Sequence, residues 1–212
     1  METIKISWAH RIKKIFKWVF LVLVVLYIGA VVVRVFQLRE LDKTKAEVTK
    51  IHATKLTLDD VMGKNLPPDP GSLADQTVQG IDANNNGIRD DVELAVFKAY
   101  PNSAKTRAVL LQYALALQME TTQPTLNTEI VTEVVREQSR AYACVGEILI
   151  RDDNNKQTMD KYFSDGEKLR LFVKQKQFNT QERMNQRNSF LKNLGSYSEL
   201  NGCDIDYLKL LN

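Results

Sequence analysis

Residues 18–33 read WVFLVLVVLYIGAVVV without a polar interruption, and Val35 and Phe36 carry the run past Arg34. From Trp18 to Phe36 the stretch is 19 residues long. As a helix rising about 1.5 Å per residue, that length crosses about 30 Å of hydrocarbon. Arg34 can snorkel to the interface, and Trp18 is placed for an aromatic belt. Lys5, Arg11, Lys13, Lys14 and Lys17 precede the run, opposed only by Glu2. The positive-inside rule therefore predicts that 1–17 is cytoplasmic and that the rest lies on the other side. Arg34, Arg39, Lys43 and Lys45 weaken the asymmetry. Two alternatives stay open. A cleaved signal peptide would need Ile28-Gly29-Ala30 as a poor processing site, with apolar residues continuing beyond it. A buried helix of a soluble core fits the length and flanks badly. The expectation is an uncleaved single-span anchor over 18–36.

The anchor accounts for the charge. The chain has 29 basic and 26 acidic residues, net +3. Six of the basic residues and one of the acidic ones fall in 1–38, which leaves 23 against 25. The remainder is slightly acidic, so the basic balance gives no reason to expect a nucleic-acid partner. Cys144 and Cys203 are the two cysteines. In an oxidising compartment they are expected to form one disulfide; the alternative is two buried thiols.

The most specific chemistry lies in residues 82–93, DANNNGIRDDVE. Asp82, Asn84, Asn86, Asp90 and Glu93 put side-chain oxygens at positions 1, 3, 5, 9 and 12 of a twelve-residue loop, with Gly87 at position 6. Ca²⁺ takes six to eight hard oxygens at about 2.3–2.6 Å, and alternate residues of a tight turn converge on one centre. Gly87 allows the bend, the backbone carbonyl of Ile88 fills position 7, and Glu93 closes the shell with both oxygens. The competing reading is a polar turn that caps a helix, with Asn86-Gly87 as the turn and Asp90/Glu93 as a capping box. Capping alone does not require Asp82 and Asn84. Three carboxylates and two amides make a modest ligand charge, expected to bind at about 10⁻⁴–10⁻³ M.

The loop resembles EF-hand calcium loops, with two differences. Position 8 is Arg89 where an EF-hand has a hydrophobe, and LPPDPG (66–71) argues against an incoming helix. NGIRDDVE is closer to thrombospondin type 3 and dockerin-like loops. It is also similar to uncharacterised bacterial membrane-anchored envelope proteins with a proline-rich run before a G-x-D-x-N-x-N-G-x-R-D-D-V-E segment. The resemblance covers roughly residues 66–120 and implies a calcium site and an envelope location. It implies no reaction.

Elsewhere the pattern predicts helices. Leu38–Lys50 can prolong the anchor helix, Ile51–Leu58 can be extended, and Thr57 with Asp60 fits a capped turn ending at Gly63. Pro67, Pro68 and Pro70 force an extended entry to the domain. Val92, Ala95, Val96 and Ala99 share a face of a helix stopped by Pro101. Asn102 or Ser103 caps the next helix, about 104–120, whose run AVLLQYALALQM is apolar nearly all round and suits the central position. Gln123-Pro124 ends it. Further helices are expected at about 128–151, 156–178 and 180–194, the last stopped by Gly195, with a short one near Leu208–Leu211. The predicted organisation is a basic end (1–17), an anchor (18–36), a stalk (37–65) and an all-α bundle (66–212) carrying the loop.

Enzyme chemistry is sparse. His10 and His52 lie outside the expected core, so no Ser/His/Asp triad is available there, and no phosphate loop or H-E-x-x-H occurs. Glu133, Glu137 and Glu147 share one predicted helix, with Glu133 and Glu137 four apart, and read as a solvated acidic face. Asp152–Asn155 reads as a turn. Tyr142, Tyr162, Phe163 and Phe172 read as core. The expected function is a membrane-anchored, calcium-stabilised helical structural or protein-interaction module with another envelope protein as partner. It would sit in the inner (cytoplasmic) membrane as a single span, its C-terminal domain periplasmic or extracytoplasmic. The alternative is a carboxylate-dependent enzyme acting on cell-wall or secreted substrates.

Overall fold

The computed structural model describes residues 2–123, 127–152, 154–200 and 202–210. Pro124, Asp153, Leu211 and Asn212, which figured in the expectations above, lie outside the described residues, as does the side chain of His10. Among the described residues the protein is all-helical, with seven α-helices and no strand. Helix α1 (Glu2–Ala53) contains no proline, and Gly29 is its one glycine. Its residues 11–43 are exposed throughout, including every apolar side chain from Trp18 to Phe36. The segment Arg11–Ala53 is long and apolar enough to cross a membrane.

The chain divides into two compact units, Met1–Ala46 and Glu47–Asn212. The second starts well before residue 66. Residues 47–65, expected as a stalk, belong to it, because Ile51, Leu56 and Val61 are buried in its core. The expected extended stretch 51–58 is instead the last turn of α1 and a short irregular link. Helix α2 (Leu58–Met62) opens with the capping box. Asp60 N–H donates to the Thr57 hydroxyl, and Thr57 N–H donates to the Asp60 carboxylate at 2.8 Å. Gly63 closes it at φ 68°. After the prolines, Gly71–Asp75 forms a 3-10 turn.

Helix α3 (Asp90–Ala99) follows the 82–93 loop. Helix α4 (Ala104–Thr122), capped by Ser103, is buried on all faces, as a run that is apolar nearly all round predicts. It packs against α2, α3, α5 (Thr128–Glu147), α6 (Lys156–Gln177), α7 (Gln181–Leu191) and a C-terminal 3-10 turn (Tyr207–Lys209). Its polar residues reach out to loops. Arg107 donates to the carbonyls of Val61, Tyr100 and Pro101, and Gln118 Nε2 donates to the Gln79 carbonyl at 2.7 Å. Helices α5, α6 and α7 are capped by Asn127, Asn155 and Thr180, each accepting the backbone N–H of the third residue of its helix. Helix α7 stops at Leu191 rather than 194. The Asn193 and Leu194 N–H groups bond three residues back, so its end tightens before Gly195.

The C-terminal segment is strapped to the bundle. Cys144 and Cys203 are joined, with sulfurs 2.12 Å apart and Cα atoms 5.6 Å apart. Beside them, Arg140 pairs with Glu137 at 2.6 Å and with Asp204 at 2.7 Å, and Lys55 pairs with Glu137 at 2.9 Å. Asp204 also accepts the Leu56 N–H at 3.0 Å.

Candidate metal centre

The loop between Ile81 and α3 is held by its own side-chain oxygens. Asp82 accepts the N–H of Asn86 at 3.1 Å through one oxygen and that of Gly87 at 2.9 Å through the other. Asn84 Oδ1 accepts the Asn86 N–H at 3.4 Å, and Asn86 Oδ1 accepts the Ile88 N–H at 2.9 Å. Each of these oxygens keeps a lone pair beyond the bond it accepts. Gly87 sits at φ 84°, where an L side chain is strained, and a Cβ there would approach Leu115 to 2.7 Å. The bend therefore needs glycine twice over.

Two of the three acids in the first turn of α3, Asp90 and Glu93, are buried. Asp90 is fully buried and its two oxygens share the Ala83 N–H at 3.0 and 3.2 Å. Burial holds its carboxyl above the ordinary range, against the Ala83 bond, with Asp82 and Asp91 adding repulsion. Glu93 is 1% exposed and accepts one bond, from Asn84 Nδ2 at 3.1 Å. Burial pushes its carboxyl up to about 7; the Asn84 and Asn86 amides oppose this, and Asp60 and Asp90 reinforce it. Asn86 Nδ2 is buried without a hydrogen-bond partner. Among the described residues, no Lys or Arg lies within ion-pair distance of Asp82, Asp90 or Glu93. A cavity of about 680 Å³, lined in part by Asp82, Asn84, Asn86 and Gly87, opens beside the loop.

The structure thus gathers Asp82, Asn84, Asn86, Asp90 and Glu93, together with the Ile88 backbone, on one turn. The Ile88 side chain points into the core and is fully buried. The capping reading of the loop fails in detail. Arg89, not Asp90, is the N-cap residue of α3, and no side chain caps that end. The Asp90 carboxylate reaches back to Ala83, and Glu93 is turned to Asn84.

Arg89 explains the departure at position 8. Its guanidinium is fully buried and donates to the Gln177 and Lys176 carbonyls, at 3.1 and 2.6 Å, and to Asp91 at 3.0 Å. Those carbonyls end α6, where no intrahelical donor remains, so the cation ties the loop to a negative helix end. Sequence spacing missed two residues beside the loop, Asp60 and Asn65. Asp60 raises the Glu93 carboxyl, and the Asn65 carbonyl accepts Asn84 Nδ2 at 2.9 Å. The Thr57/Asp60 capping pattern marked Asp60 as ordered but carried no signal of its distance from α3.

The other acid candidates are engaged elsewhere. Glu133 bonds Arg136 at 2.8 Å and His52 at 2.9 Å, and Glu137 lies in the buried network with Arg140 and Lys55. The expected solvated face is therefore an ion-paired seam, with Glu147 alone of the three exposed. The Asn155 N–H bonds the Asp152 carbonyl at 3.2 Å, the closure of a turn, and Asn154 N–H bonds the Asp152 carboxylate at 3.0 Å. Cys144, Glu147 and Cys203 lie close together, but both sulfurs are in the disulfide and hold no thiolate for a metal. A comparison with protein-family models, curated proteins and solved structures finds no match for the chain.

Proposed function

We propose that residues 82–93 hold one calcium ion and that the chain is a membrane-anchored helical module stabilised by it. Asp82, Asn84, Asn86, the Ile88 carbonyl, Asp90 and Glu93 are the ligands, and Asp90 also braces the loop through the Ala83 N–H. The observation that carries this is the uncompensated charge. Three carboxylates, Asp90 and Glu93 of them buried, are packed together, and among the described residues no Lys or Arg pairs with them. A fully buried carboxylate is costly unless paired or metal-bound. The donors are all hard oxygens, which suits Ca²⁺ over softer ions.

The anchor is the apolar part of α1, with 1–17 cytoplasmic and the helical domain on the outer face of the inner membrane. There the Cys144–Cys203 bond would persist, and extracellular or periplasmic calcium would be available. The domain's role is to bind another envelope protein. The enzyme alternative is less favoured, since Glu133 and Glu137 are neutralised by ion pairs. The test is melting of the full chain in neutral detergent. Millimolar calcium is expected to raise the melting temperature, chelator to reverse the gain, and Glu93→Ala to abolish it. Identical curves with calcium and chelator would remove the calcium from this reading.

A further inference from the structure

A second cleft, of about 630 Å³, opens between α4, α5, α6 and α7 and shares no lining residue with the loop cavity. Its volume is that of a small-molecule site. Its walls are aromatic rings that the sequence pattern assigned to the core. Tyr142 and Phe163 are instead 41% and 60% exposed. Tyr142 is flanked by cations, with the Arg170 guanidinium 3.7 Å and Lys174 Nζ 5.9 Å from its ring centroid.

The charges are distributed unequally by depth. Arg170 is 7% exposed, and its Nε and Nη2 donate to the Tyr142 carbonyl, a neutral acceptor, at 3.2 and 3.0 Å. A Cβ on Gly166 would lie 3.0 Å from Arg170 Nη1, so glycine leaves the guanidinium its room. Among the described residues no carboxylate is within ion-pair distance of Arg170 or Lys174. Arg187, also in the cleft, pairs among the described residues with the buried Glu120 at 3.6 Å. Glu147 and Glu199 line the cleft too, but both are exposed and screened by water. Three cations thus answer to one buried carboxylate, in a wall of tyrosines.

The geometry points to a binding site for a small organic anion that carries a ring. Its carboxylate or phosphate group meets Arg170, Lys174 and Arg187, and its ring lies against Tyr142 and Tyr162. A guanidinium fixed by packing and by a neutral carbonyl is already desolvated and oriented, so a charge-assisted bond to an anion costs little reorganisation. The ring adds stacking that a bare anion lacks. The site is independent of the calcium reading.

The test is calorimetric titration of the full chain in neutral detergent micelles with phenyl phosphate, benzoate and inorganic phosphate. Phenyl phosphate or benzoate binds, and whichever is tighter identifies the head group. Inorganic phosphate binds roughly tenfold more weakly than phenyl phosphate. Lys174→Gln weakens the aryl anion roughly tenfold, while Lys174→Arg restores it. Lys168→Gln, the same charge change at an exposed site of α6, leaves it unaltered. No heat with either aryl anion at millimolar concentration, or equal losses in Lys174→Gln and Lys168→Gln, would overturn the proposal.

Discussion

At the scale of single residues, Glu93 and Glu120 set the protein's response to pH. Both are buried and both are pushed up from 4.5 to about 7, chiefly by burial. For Glu120, Arg187 and the Gln138 amide oppose the shift without cancelling it. A carboxyl raised in the folded state contributes stability that is full below its unfolded value and is lost as pH rises through the folded one. The calcium-free domain is therefore expected to be most stable near pH 4.5 and to weaken up to about pH 7. Glu93→Gln should stabilise the calcium-free protein at pH 8 by a few kcal/mol while removing its response to calcium. Glu120→Gln should flatten the pH profile whether or not calcium is present. Denaturant melts of the three proteins between pH 4.5 and 8 check this. A Glu93→Gln protein less stable than the parent in chelator would show that Glu93 is a paired structural carboxylate.

At the scale of elements, the loop is welded to the end of α6 by Arg89. Replacing a fully buried guanidinium that makes several bonds leaves the Lys176 and Gln177 carbonyls without donors and Asp91 without its cation. Arg89→Met is expected to cost about 3 kcal/mol. Hydrogen exchange at residues 176–180 should rise more than exchange in α5. Uniform loosening of all helices would mean that Arg89 supports the fold generally rather than this junction. This junction was not legible in the sequence. The helix start at Ser103 was, because capping is local and the cap satisfies a backbone donor within its own first turn. The donors, acceptors and glycine of the loop were legible for the same reason. Partners of long side chains were not. Arg89 meets α6, Asp60 approaches Glu93, and Tyr142 and Phe163 turn outward, all through contacts that no spacing within one segment encodes.

At the scale of the whole molecule, the sequence placed the apolar helix but set the start of the helical unit too late. The buried positions Ile51, Leu56 and Val61 stand five apart, a spacing that fits neither a helical stripe nor strand alternation, since they fall on the end of α1, an irregular link and α2. The topology proposed above, with 1–17 cytoplasmic, is checked by labelling. A cysteine introduced at Ser196, which is exposed, should react with an impermeant maleimide added outside spheroplasts. Labelling that requires lysis of the inner membrane would place the domain in the cytoplasm. Calcium binding at the 82–93 loop underlies the proposed function. The most direct measurement is calorimetric titration of the full chain with calcium at pH 7.5, beside Glu93→Gln and Asp82→Asn. One ion per chain is predicted, with a dissociation constant of about 10⁻⁴–10⁻³ M and marked weakening in both variants. No heat at millimolar calcium, or binding that survives both substitutions, would contradict it.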